Sequence, residues 1–171
     1  VVASETPGLM PDVLWEDAAA SFDIDGSVKL VYVEAAGSAT IWQELAGWVS
    51  TRGPDHRYTE TGAAGPALCL PAAEEIFERR SRLAKPHLQC LSGWMIPRIR
   101  AWLVFSQFTP AWFVVSQSDI QSQERLDVFT GAFAALGRHL GYGLSLVHEH
   151  DTRRARPILR YDPVTDTVSR P

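Results

Sequence analysis

The stretch DIQSQERLDVFTGAFAALGRHLG, residues 119–141, constrains the fold more than any other part of the chain. Leu126, Phe129, Phe133, Leu136 and Leu140 step by 3, 4, 3 and 4, which places all five on one stripe of an α-helix. Ser118 with Gln121 has capping-box spacing at its start, and Gly141 suits a left-handed stop at its end. Burying five such side chains contributes about 1.5–3 kcal/mol each before entropy is counted, so the stripe demands an apolar partner surface.

That surface has to come from the pleated segments around the helix. HLQCLSGWMI, RIRAWLVFSQ and AWFVVSQS, between 87 and 118, are rich in β-branched and aromatic residues, and GLSLVHEHD at 143–151 has the same character. The short connection at 108–110 predicts that RIRAWLVFSQ and AWFVVSQS pair antiparallel. Nearer the start, Phe22 and Ile24 alternate with polar residues before Asp25-Gly26, and Val28, Leu30 and Tyr32 alternate after it. This pattern predicts a β-hairpin. HRYTET at 56–61 and PILRYDP at 157–163 read as short strands. A second helix follows from Ile41, Leu45 and Trp48 at i, i+4 and i+7, stopped by Gly53-Pro54. A third, shorter helix spans 72–83, with Glu74 and Glu75 early and Arg79, Arg80 and Arg82 late, the order its dipole favours.

The expectation is an α+β fold: a mainly antiparallel sheet with two main helices packed on one face, in the order ββαβ-α-βββ-α-ββ. A mobile arm over 1–12 precedes a single domain at 13–163, and a frayed tail covers 164–171. The expected core is Phe22, Ile24, Leu30, Tyr32, Ile41, Leu45, Trp48, Ile76, Phe77, Trp102, Val104, Phe113, Val115, Leu126, Phe129, Phe133, Leu136, Leu140, Leu144 and Leu146.

Five pieces recur in a known order: FDIDGSVKLVYV, IWQELAGWV, LPAAEEIFERR, LGRHLG and ILRYDP. Together, over about residues 20–163, they resemble a group of uncharacterised bacterial, actinobacterial-type single-domain proteins. The resemblance implies a small bacterial α+β domain and carries no activity, so it assigns no catalytic residue. Between the strands, relatives tend to be acidic, whereas this chain reads PAWFVVSQSD.

Charge and motif content narrow the function classes. Sixteen basic against twenty acidic residues give a net charge of −4, which lacks the basic face that nucleic-acid binding needs. No apolar run reaches the length of a membrane span, and the first residues lack the basic and apolar regions of an intact leader, so the expected location is cytoplasmic. GAAGPA is not followed by the Lys-Ser/Thr of a phosphate loop, and no G-x-S-x-G elbow occurs. Cys69 and Cys90 sit in apolar settings and read as buried thiols; a disulfide and a reactive thiol are the other two options. No cofactor is implied.

Three groups of residues are candidates for a site. His148 and His150 would share one face of a strand and could chelate a metal if a third ligand joined them. Trp94, Phe108 and Trp112 belong to an aromatic surplus that would make a partner surface if part of it faced water. Arg79, Arg80 and Arg82 could contact an anion, or simply form a solvated helix end. The reading that follows is a non-enzymatic interaction protein of the immunity or inhibitor type, engaging a protein partner or a second copy of itself. The alternative is a metal- or small-ligand-binding protein using the His148/His150 strand end.

Overall fold

A computed structural model describes residues 12–34, 39–50, 56–60, 75, 78, 87–106, 112–151 and 156–171. The fold is α+β. Among the described residues, eight strands build one antiparallel sheet: β1 (Lys29–Val33), β2 (His56–Glu60), β3 (His87–Ile96), β4 (Ile99–Ser106), β5 (Trp112–Val115), β6 (Leu144–His148), β7 (Leu159–Asp162) and β8 (Thr167–Ser169). Their spatial order is β2-β3-β4-β5-β1-β6-β7-β8. The helices whose full bounds fall within the described residues are α1 (Trp15–Ala18), α2 (Ala39–Ser50) and α3 (Gln123–Leu140), with 3-10 turns at Ala19–Phe22 and Gln117–Asp119.

Register decides which side chains meet the helices. Val31 lies opposite both Phe113 and Leu146, Val33 opposite Leu144, and Leu103 opposite Phe113. Leu146 then faces Leu159, and Leu144 faces Tyr161. All of these share one face and join Ile41, Leu45 and Trp48 of α2 and the stripe of α3 in a single core. Both main helices therefore cover the same face, as the periodicities require. The opposite face has its own smaller cluster, Leu30, Tyr32 and Val147, with Val28 and Val114 packed against it. β1 is buried along its whole length because it is central and covered on both sides.

Helix α3 carries the five expected residues, and all are buried. Its cap differs from the expected one. Ser122 is the N-cap, its hydroxyl accepting from the Arg125 amide at 3.3 Å, while Ser118 lies in the preceding 3-10 turn. Gly141 closes the helix at φ +70°, its amide donating to the Gly137 carbonyl at 2.8 Å. Gly137 allows close packing of the Tyr161 ring, which occupies the space a Cβ would take.

Two expectations are corrected. Phe22 and Ile24 do not form the first arm of a hairpin. Residues 19–22 make a 3-10 turn that buries Phe22 against Trp15, and Ile24 is 67 % exposed. The physical reason is that β1 has both edges taken, by β5 and β6, so no hairpin partner can dock. The Asp25-Gly26 turn signal is used differently: Asp25 Oδ1 accepts from the Ser27 amide at 2.9 Å, and only Gly26 has positive φ. At the other end, 164–171 is not frayed, because β8 pairs with β7 and buries Val168 against the helix face. Of the expected 72–83 helix, Glu75 and Glu78 have helical backbone and are exposed. Ile76, Phe77 and Cys69 lie outside the described residues, as do the side chains of Cys90 and Val104, and Trp102 is half-buried.

Candidate functional site

The most unusual chemistry in the described structure lies where β1 begins and β6 ends. Lys29 is the first residue of β1 and His148 the last of β6, and the two are directly opposite in the ladder. Alternation puts both on the helix-covered face, in line with Val31, Val33, Leu144 and Leu146. Lys29 is 1 % exposed, a rare place for an ammonium group. Its Nζ donates to His148 Nδ1 at 3.0 Å and to Ser27 Oγ at 3.3 Å. With an ammonium as the donor, the imidazole is neutral, accepts at Nδ1 and carries its proton on Nε2. Burial pushes the Lys29 ammonium below the usual lysine range, partly offset by Asp25, Asp23 and Glu149. Burial, then the Lys29 charge, pushes His148 below the usual histidine value.

Above this pair runs the loop of residues 23–28. Asp25 accepts at Oδ1 from the Ser27 amide and from Gln117 Nε2 at 2.8 Å. Hydrogen bonds from Ser27 and Gln117 hold its carboxyl well below the usual carboxylate range. Gln117 is 3 % exposed, and its Oε1 is buried without a hydrogen-bond partner among the described residues, so its NH2 end is committed to Asp25. Gln121 Nε2 donates to the Phe22 and Gln117 carbonyls, both at 2.9 Å, and ties the start of the loop to the segment before α3. On the other side the Glu149 amide donates to the Val28 carbonyl at 3.2 Å, and the Val28 amide donates to Glu149 Oε2 at 3.3 Å. The loop is pinned at both ends while Ile24 projects from it. Asp23 and Asp25 flank Ile24 in the chain, and Glu149 meets the loop at Val28; all three are exposed.

His148 and His150 do not share a strand face. β6 ends at His148, and residues 148–151 turn back, with the Asp151 amide donating to the His148 carbonyl at 2.9 Å. His150 is exposed in that turn, whereas His148 faces the core and its Nδ1 lone pair is taken by Lys29. Among the described residues no group of three or more His, Cys, Asp or Glu is placed to hold a metal ion. Trp94 lies in β3 and Trp112 opens β5, their side chains lying outside the described residues. Phe108, Arg79, Arg80 and Arg82 also lie outside them.

Between sheet and helices, Val31, Phe113, Phe129 and Phe133 line an apolar cavity of about 20 Å³. That is room for a water molecule and far from the ~300 Å³ of a small-molecule pocket. No described helix is long and apolar enough to cross a membrane. No family model, no curated protein and no solved structure matches the chain.

Sequence reasoning singled out His148 and missed its partner. Lys29 was hidden because Val28, Leu30 and Tyr32 gave the apolar phase of the strand, which put Lys29 on the supposed wet side. The usable signal was the unbroken run LVYV beside it, which marks a strand buried on both faces.

Proposed function

We propose that this chain is a non-enzymatic bacterial interaction protein, of the immunity or inhibitor type, and that its contact element is the 23–28 loop with Ile24 as anchor. The observation that carries this reading is the exposure of Ile24, 67 %, on a loop whose two ends are held by buried or paired groups. A large aliphatic side chain in water is ordinary on a mobile segment. On a pinned one it is preorganised, and binding then costs little ordering entropy. The exposed carboxylates of Asp23 and Asp25 on either side of it, with Glu149 where the loop ends at Val28, favour a protein partner with an apolar socket rimmed by lysine or arginine.

The test is an Ile24→Asp variant beside the wild-type chain, both first matched by urea denaturation. Each is used as bait in a lysate of the native host, and any captured protein is titrated against both. Losing one buried isoleucine contact costs about 1.5–3 kcal/mol, so affinity should fall roughly 10- to 100-fold. A partner held equally by both baits, or no partner and no self-association for the wild type, refutes the reading.

A further inference from the structure

We propose that Lys29 and His148 form a proton-operated latch beneath the 23–28 loop, closed while His148 is neutral and opened when its ring takes a proton. The geometry carries this. The 3.0 Å contact needs a lone pair on Nδ1, and a proton there removes the acceptor. It also leaves two cations at hydrogen-bond distance, one of them on a side chain 1 % exposed and the other half-buried, where water screens them poorly. The pair is the last rung of the β1–β6 ladder, so it can separate by local fraying without breaking the sheet.

Beyond that rung, the loop is joined to the turn after β6 through Val28 and Glu149. Separation of the rung therefore reaches the loop directly. The charged groups bearing on the pair are Asp23 and Asp25 from the loop and Glu149, His150 and Asp151 from the turn. The carboxylates favour the charged form of Lys29 against its burial, and a charged Lys29 is what makes a second positive charge costly.

The sign follows from linkage. His148 titrates below its free value in the closed state, so closure is fully favoured above the free histidine value. It weakens as pH falls through that value and then through the folded one. The functional consequence, release of a partner on mild acidification, rests on the loop being the contact element. The latch itself does not.

The experiment follows amide exchange at Val28 and Glu149 from about pH 7.5 to about pH 5, corrected for intrinsic exchange, in the range where only histidines titrate. Protection in the wild type should fall about tenfold for each pH unit by which closure lowers the His148 titration. His148→Gln keeps an acceptor for Lys29 and cannot be protonated, so its protection should stay flat. Lys29→Met removes the second charge but leaves the burial of His148, so its protection should fall less than the wild type's at the lower pH. Flat protection in the wild type, or the same loss in either variant, overturns the proposal. If both variants fail to fold, the imidazole of wild-type His148 is titrated directly by NMR. A midpoint below about 6.5 supports the latch, and one at or above it overturns it. None of these measurements uses a partner. Binding that survives Ile24→Asp refutes the contact reading and leaves the latch standing, and a pH-insensitive loop does the reverse.

Discussion

Gly131 and Gly137 both lie inside α3, one exposed and one buried, and the same substitution should have opposite signs at the two. Alanine in a helix interior is favoured over glycine by about 0.5–1 kcal/mol, because glycine loses more backbone freedom on folding. At Gly131 a Cβ would meet nothing within 4 Å, so Gly131→Ala should show that gain undiminished. At Gly137 the new methyl would fall inside the Tyr161 ring, against Cδ1 and Cε1 and with Cγ at 2.9 Å. The ring has little room to yield. Tyr161 is 2 % exposed, and its hydroxyl donates to Asp166 Oδ1 at 3.0 Å, an oxygen that also accepts from Arg138 Nε at 2.6 Å. Overpacking of this kind costs about 1–3 kcal/mol, and displacing the ring gives up a hydrogen bond of about 1 kcal/mol. Against the propensity gain, Gly137→Ala should be destabilised by about 2 kcal/mol. Urea denaturation reads both variants as shifts in midpoint at constant slope. A double-mutant cycle with Tyr161→Ala isolates the cause, since Gly137→Ala should turn neutral or favourable once the ring is gone. A Gly137→Ala chain as stable as the wild type, or equally destabilised without Tyr161, would refute the packing argument.

Two further outcomes are expected. Ser122→Ala removes the acceptor for the Arg125 amide and should cost about 1 kcal/mol in urea denaturation, while Ser122→Asp should recover most of it. Asp119 receives the Arg100 amide and Nε at Oδ2, at 2.8 and 2.9 Å, and Arg100 Nη2 at Oδ1, at 3.0 Å. The Arg100 hydrogen bond holds its carboxyl below the ordinary aspartate range. The contact should therefore add stability above the ordinary aspartate value and lose it as pH falls through the lower folded one. With Arg100 61 % exposed, Asp119→Asn should cost less than about 1 kcal/mol at neutral pH and flatten that part of the acid limb.

What the sequence could announce was set by how far each signal reaches. The stripe of α3 and the apolar strands are local patterns with one satisfactory outcome, burial against each other, and they led to the right fold class. The Asp25-Gly26 dipeptide is also local, but its use depends on whether β1 has a free edge. That is decided by residues 112–115 and 144–148, far along the chain. Ile24 was assigned to the core for the same reason. The site was half legible. His148 stood out by residue type, whereas Lys29, Gln117 and Gln121 became significant only when the register brought them under one loop. The turn at 148–151 separated His150 from His148, and no periodicity foretells where a strand stops.

The placement of β1 also dictates the order in which the molecule can be assembled. The strand is made well before both of its neighbours, β5 and β6. Until then its amides and carbonyls have no ladder to join, and its apolar side chains have no floor. Closure of such distant pairings is slow compared with local helix formation. The nascent chain must therefore carry an unzipped central strand until residues 112–115 and 144–148 have followed it, exposed to pairing with another copy. A chain stopped before residue 144 would keep that edge open permanently, and it should aggregate where the whole chain stays monodisperse.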